Sequence, residues 1–154
     1  MTDASGNAAA DEAGDRPKGE VPEAEVAEGQ GDAVETVVGA PPDVVWAKIG
    51  DFGAIGDLFP ALESFRVDGD DRFIGMFGLE IREHLLARDD QARSITYTVA
   101  DGVPIESHRA TITVRTHDDG SLVQWAFVVE PDSMMPVFAD TYKTALQALQ
   151  EHFS

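Results

Sequence analysis

The sequence predicts an α+β fold: a curved antiparallel sheet of about seven strands wrapped around one long C-terminal helix. Three observations predict it. Six segments between Glu63 and Glu130 alternate apolar and polar residues with period two, the signal of half-buried strands. The turns between most of them are short and rich in Asp and Gly, and connections that short join antiparallel strands, because parallel ones need long crossovers. After Pro136 the apolar residues recur every three to four positions, which is the stripe of an amphipathic helix.

The elements follow in order. Ala33 to Val38 alternates weakly and reads as a first strand. Pro41-Pro42-Asp43 then opens a helix that continues through Trp46 to Ile49; proline suits the first helical turn, and an acid there complements the helix dipole. Gly50, Gly53 and Gly56 make Asp51 to Ala61 a run of turns or one short helix. Strands are expected at Glu63–Asp68, Arg72–Phe77, Leu79–Arg88, Arg93–Ala100, Ser107–Thr116 and Leu122–Glu130. Phe138, Tyr142, Leu146, Leu149 and Phe153 form the apolar stripe of the last helix, about four turns long. A curved sheet and a helix laid across its concave face do not close tightly along their whole length. The gap between them is the natural ligand cavity.

Composition limits what such a domain does. The 154 residues carry 29 acidic and 11 basic side chains, a formal charge of −18, and no cysteine. Disulfides, thiolate metal sites and cysteine nucleophiles are excluded. The negative charge repels phosphate backbones and anionic membranes, so no nucleic-acid partner and no stable membrane association are expected. No apolar run reaches the length of a transmembrane helix, and the N-terminus lacks the basic and apolar regions of a secretory signal. A cytoplasmic protein, monomeric or weakly dimeric, is the expectation. Residues 1–31 contain no aromatic residue, and eight acids there face two bases. They read as a disordered acidic tail, because such a segment buries too little apolar surface to offset its ordering entropy. Residues 32–154 hold all twelve aromatic residues, enough for a real core, and are expected to form the ligand-binding domain.

Several segments carry a resemblance. Pro41-Pro42-Asp43-Val44-Val45-Trp46, Asp51-Phe52-Gly53 and Glu83-His84-Leu85-Leu86-Ala87-Arg88-Asp89, followed in order by Val103-Pro104-Ile105, Ala110-Thr111-Ile112-Thr113-Val114 and Val123-Gln124-Trp125-Ala126-Phe127, resemble the START-like, Bet v 1-like superfamily. The nearest branch is its bacterial polyketide cyclase/dehydrase and lipid-transport group (SRPBCC). The resemblance spans roughly residues 33–153 and implies a helix-grip fold with an apolar cavity. A looser similarity to plant abscisic-acid receptors stops short of their gating. Phe59 stands where they carry a ligand-pairing lysine, and the segment from Arg72 to Glu83 is too short for their gate loop. Members of the superfamily include cyclases, lipid carriers and receptors, so the fold does not set the chemistry.

Strand alternation assigns the residues that could carry chemistry. Ile81, Glu83 and Leu85 share one face, and Tyr97, His108, Ile112, Trp125 and Phe127 fall on the apolar-rich faces of later strands. Phe138, Tyr142 and Leu146 close the cavity from the helix. These eleven residues are the expected ligand contacts, and Glu83, His108 and Tyr97 are the catalytic candidates. Burial disfavours the charged form of a carboxylate; a partner, His108 or an arginine, offsets this. Such a set suits proton transfer in an aldol cyclisation or dehydration. Each residue also has a structural reading: Glu83 in an ion pair, His108 as a hydrogen-bonded core histidine, Tyr97 and Trp125 as wall residues. Trp46 is expected to pack beneath the sheet, Asp51 to hold loop amides, and His84 and His117 to be solvated. Met134-Met135 reads as a soft lip over the cavity mouth. The histidines lie apart and no phosphate-loop or nucleophile-elbow motif occurs, so no metal and no cofactor are expected. Three functions stay open: binding or transport of a lipid, polyketide or aromatic molecule; a polyketide aromatase/cyclase or dehydratase; and a non-catalytic interaction module with a filled core.

Overall fold

A computed structural model describes residues 31–154. The acidic tail expected over residues 1–31 lies, Gly31 apart, outside them. The chain runs β1 (Asp32–Val38), α1 (Pro42–Ile49), a 3₁₀ turn (Gly56–Leu58), β2 (Leu62–Asp68), β3 (Asp71–Met76), β4 (Leu79–Asp89), β5 (Ser94–Asp101), β6 (Ser107–His117), β7 (Gly120–Glu130), a second 3₁₀ turn (Asp132–Met134) and α2 (Met135–His152).

All seven strands form one sheet in the order β1-β7-β6-β5-β4-β3-β2, and every neighbouring pair is antiparallel. Strands β2 to β7 are a meander, as the short turns require. Strand β1 pairs instead with the last strand, so α1 and its following loop carry the chain from one sheet edge to the other. Helix α2 is a turn longer than the sequence suggests, at 18 residues, or about five turns. It is tied to the β1 edge by Gln150 Nε2, which donates to the Val37 carbonyl at 2.9 Å.

Two strand ends differ from the sequence reading for the same reason. The strand expected to reach Phe77 stops at Met76, because Phe77 and Gly78 form a two-residue hairpin turn with φ of 56° and 75°. Two positive φ values are the mark of the turn that matches strand twist. Arg93, expected inside β5, also has a positive φ of 51° and belongs to the preceding turn.

The main core lies between the concave sheet face and the helices. It holds Val45, Trp46 and Ile49 from α1, Phe52, Ile55 and Leu58 from the loop, Trp125 and Phe127 from β7, and Tyr142, Leu146 and Leu149 from α2. A smaller cluster of Ile74, Met76, Ile81 and Val99 sits apart at the β3–β4 hairpin. The β5–β6 ladder is the irregular seam between them. Its paired register runs from Ser94↔Thr113 to Tyr97↔Ala110 and stops there. Beyond that point the strands are joined by side chains: Val99 N–H donates to His108 Nδ1 at 3.1 Å, and the Thr98 hydroxyl donates to the His108 carbonyl.

Candidate functional site

Where the β5–β6 pairing ends, between the β3–β4 hairpin and α2, the side chains leave a cavity of about 300 Å³. Met76, Leu79, Ile81, Val99 and Val103 wall it from the sheet side, and Phe138 from the helix. Phe59 and Phe77 separate it from a shallower hollow of about 280 Å³ beside Asp140 and Thr144. Phe77, Leu79 and Val137 all line the cavity and are all exposed to solvent. They form an apolar rim. Phe77 is 64% exposed and adopts a backbone conformation that costs a non-glycine residue roughly 1–2 kcal/mol.

Four of the expected contacts, Ile81, Glu83, Phe138 and Tyr142, line this cavity. Leu85, Tyr97, His108, Ile112, Trp125, Phe127 and Leu146 do not; they stand in the packed main core or against it. The reason is aromatic volume. Trp125 stacks on Tyr142 with ring centres 4.4 Å apart and planes 12° from parallel, and Phe127 meets Tyr142 edge-on at 5.2 Å. These rings fill the β6–β7 end of the concave face, and the void moves to the β3–β4 end. Met134 lines the mouth as a lip, whereas Met135 packs against the main core.

Glu83 pairs with an arginine, not with His108. Arg72 Nε donates to Glu83 Oε1 at 2.7 Å, and Arg72 Nη1 donates to the Phe52 carbonyl at 2.9 Å. The guanidinium lies over the Phe52 ring at 4.0 Å and the Tyr97 ring at 4.8 Å. Arg72 is 2% and Glu83 9% exposed, so each supplies the counter-charge the other needs in a desolvated place. Arg72 and Glu83 are direct cross-strand neighbours. The signal was present in the sequence: a two-residue turn centred on Phe77-Gly78 places residue 72 opposite residue 83.

The other two candidates belong to a buried group of hydrogen-bonded side chains. His108 Nδ1 accepts from Val99 N–H, which leaves the ring proton on Nε2. That atom donates to the Tyr142 hydroxyl at 2.8 Å. The Tyr142 and Tyr97 hydroxyls lie beside each other, and the Tyr97 oxygen accepts the Trp125 indole N–H at 3.1 Å. Burial pushes the His108 pKa down to about 3. It pushes both tyrosine hydroxyls up, with the Glu83 charge adding to the effect. At neutral pH His108 is therefore neutral and both tyrosines keep their protons. His108 satisfies a backbone amide where the ladder fails, a role that strand alternation does not reveal.

The other polar residues singled out by the sequence have partners away from the cavity. Trp46 is buried and donates to Asp90 Oδ1 at 2.9 Å, a bond that, with Arg88, lowers the Asp90 pKa. Asp51 Oδ1 accepts the Gly53 amide at 3.1 Å. His84 is half-exposed and lies 2.7 Å from Asp71, and His117 lies 3.6 Å from Asp118. Among the described residues no group of three or more His, Asp or Glu side chains could hold a metal ion. No helix among them is long and apolar enough to cross a membrane.

Comparisons with known proteins place this architecture. The solved structure of the protein XoxI from Bacillus cereus is 27% identical, with a TM-score of 0.75, over 80% of this chain and 95% of that one. A solution structure from Thermobifida fusca is 29% identical, with a TM-score of 0.71, over 80% and 92%. Major latex-like protein 151 from Panax ginseng shares the fold at 17% identity and a TM-score of 0.66, over 80% and 96%. No curated protein matches the chain. The family described as polyketide cyclase / dehydrase and lipid transport matches residues 20–154. With that match spanning most of the sequence and the Bet v 1-like helix-grip fold beneath it, the chain belongs to the polyketide cyclase/dehydrase and lipid-transport family.

Proposed function

We propose that the protein reversibly binds a small hydrophobic molecule in the cavity between the β3–β4 hairpin and the first turns of α2. The observation that carries this reading is an apolar cavity of about 300 Å³ with an exposed apolar rim, at the lower end of the usual ligand-site range. An engineered apolar cavity of about 150 Å³ takes up benzene, so this one suits a body of roughly ten to twelve carbon atoms. The family's description, which includes lipid transport, supports the same reading.

The cyclase alternative needs Glu83 and His108 at one substrate. Glu83 lines the cavity, but His108 does not; its ring nitrogens are occupied by Val99 and Tyr142. The filled interaction module predicts no cavity, and the cavity speaks against it. Native mass spectrometry of the purified protein, with organic extraction and then titration of naphthalene as a probe, tests the binding reading. A co-purifying apolar species, or saturable one-to-one uptake of the probe, is expected. A protein that emerges empty and takes up no probe would contradict it.

A further inference from the structure

The cavity's polar groups are unequal in what they still have to offer. Glu83, Thr141 and Tyr142 line it. The Thr141 hydroxyl spends its proton on the Val137 carbonyl at 3.0 Å. The Tyr142 hydroxyl accepts from His108 and lies beside the Tyr97 hydroxyl. Glu83 uses only one of its oxygens: Oε1 takes the Arg72 proton, and no donor among the described residues bonds Oε2. A carboxylate oxygen keeps about two acceptor sites. Nor is Oε2 sealed in. Thr113 Oγ1 is the one fully buried side-chain polar atom without a partner among the described residues, so Oε2 keeps some accessible surface on a residue that lines the cavity. Glu83 Oε2 is thus the one charged acceptor among the lining side chains that has no donor among the described residues.

We infer that the ligand is a hydrophobic molecule with a neutral hydroxyl at its inner end, an alcohol or a phenol, which donates to Glu83 Oε2. This rests on the binding reading above and narrows its ligand class. A hydroxyl pairs a carboxylate oxygen that is otherwise left without a donor, and hydrogen bonds to charged groups are the stronger kind. A carboxylate ligand such as a fatty acid has no proton to donate at neutral pH. It meets the Glu83 charge directly, and it approaches a protein of formal charge −18. An apolar molecule of the same shape fits the walls but leaves Oε2 unpaired.

Three matched probes test this on the unmodified 154-residue chain by calorimetric titration at neutral pH: 2-naphthol, naphthalene and 2-naphthoate. The expected order is 2-naphthol tightest, by about tenfold or more over naphthalene, with 2-naphthoate weakest. In a Glu83→Gln, Arg72→Met double variant, which removes both charges together, that preference should shrink to a few-fold or less. Equal affinity for naphthol and naphthalene overturns the inference while leaving the binding reading intact. So does naphthoate binding as tightly as naphthol, which would put the polar end at the mouth, by the first turn of α2. Binding of none of the three overturns both.

Discussion

The two ends of the concave face are built from the same materials and do different things. At the β6–β7 end, Trp125, Phe127, Tyr142 and Leu146 close on one another and leave no room. At the β3–β4 end, Ile74, Met76, Ile81 and Val99 form a thinner cluster facing a void. The filled end is where substitutions should cost stability, and the hollow end is where they should cost binding. Between them lie two polar devices, the Arg72–Glu83 pair and the His108–Tyr142–Tyr97–Trp125 chain. Both are held by partners inside the protein, and Glu83 keeps one carboxylate oxygen without a donor among the described residues.

The largest expected effect is at the filled end. Trp125→Ala should cost about 3–5 kcal/mol in denaturant unfolding, the range for removing a large buried aromatic ring. A loss below about 1 kcal/mol would mean that this end is not the load-carrying core. Arg72→Met alone should cost about 3–5 kcal/mol, because it strands a buried carboxylate. The Arg72→Met, Glu83→Leu double variant should recover most of that loss, since replacing both charges leaves none uncompensated. If the double variant is as unstable as the single one, packing rather than charge sets the cost.

An effect of intermediate size is set by pH. Burial holds the folded-state pKa of His108 at about 3, below the 6.5 of an unperturbed ring. As pH falls the unfolded chain takes up this proton first. Stability fully present above pH 6.5 is therefore lost progressively from there down to about pH 3. Between pH 8 and pH 5 the loss from this one group is about 2 kcal/mol. His108→Gln should flatten that part of the profile, and an unchanged slope in the variant would assign the loss elsewhere.

The smallest effect on stability belongs to the hollow end, and it should have the opposite sign. Phe77→Asn replaces a strained aromatic residue with one suited to the turn and should stabilise the hairpin by about 0.5–1 kcal/mol. It also removes part of the cavity rim, so uptake of naphthalene should weaken several-fold. A variant that is both more stable and equally competent to bind would show that Phe77 has no part in the site.

Much of this was legible in the sequence, for local reasons. The strands follow from side-chain alternation, their antiparallel order from turns such as Asp68-Gly69-Asp70, and the last helix from its apolar stripe. Alternation also put Glu83, Tyr97 and His108 on the buried side. It could not say where the void would fall. That depends on how much aromatic volume each stretch of the concave face receives from elements distant in the chain, here Trp125 from β7 against Tyr142 from α2. Nor could it give the role of His108, which depends on the β5–β6 ladder ending at Tyr97 and Ala110. The place of Arg72 opposite Glu83 is readable from the hairpin register, but its burial is not, because charged residues on a strand ordinarily face water.

The most direct test of the account is to locate a bound probe. Methyl and amide NMR spectra of the isotope-labelled protein, titrated with naphthalene, would do so. The account predicts saturable shifts concentrated at Met76, Leu79, Ile81, Val99, Val103 and Met134, with little change at Val123, Leu146 and Leu149. In a Val99→Trp variant, which fills the cavity, the protein should stay folded and those shifts should vanish. Shifts centred on the β6–β7 end, or shifts that persist in the filled variant, would contradict it.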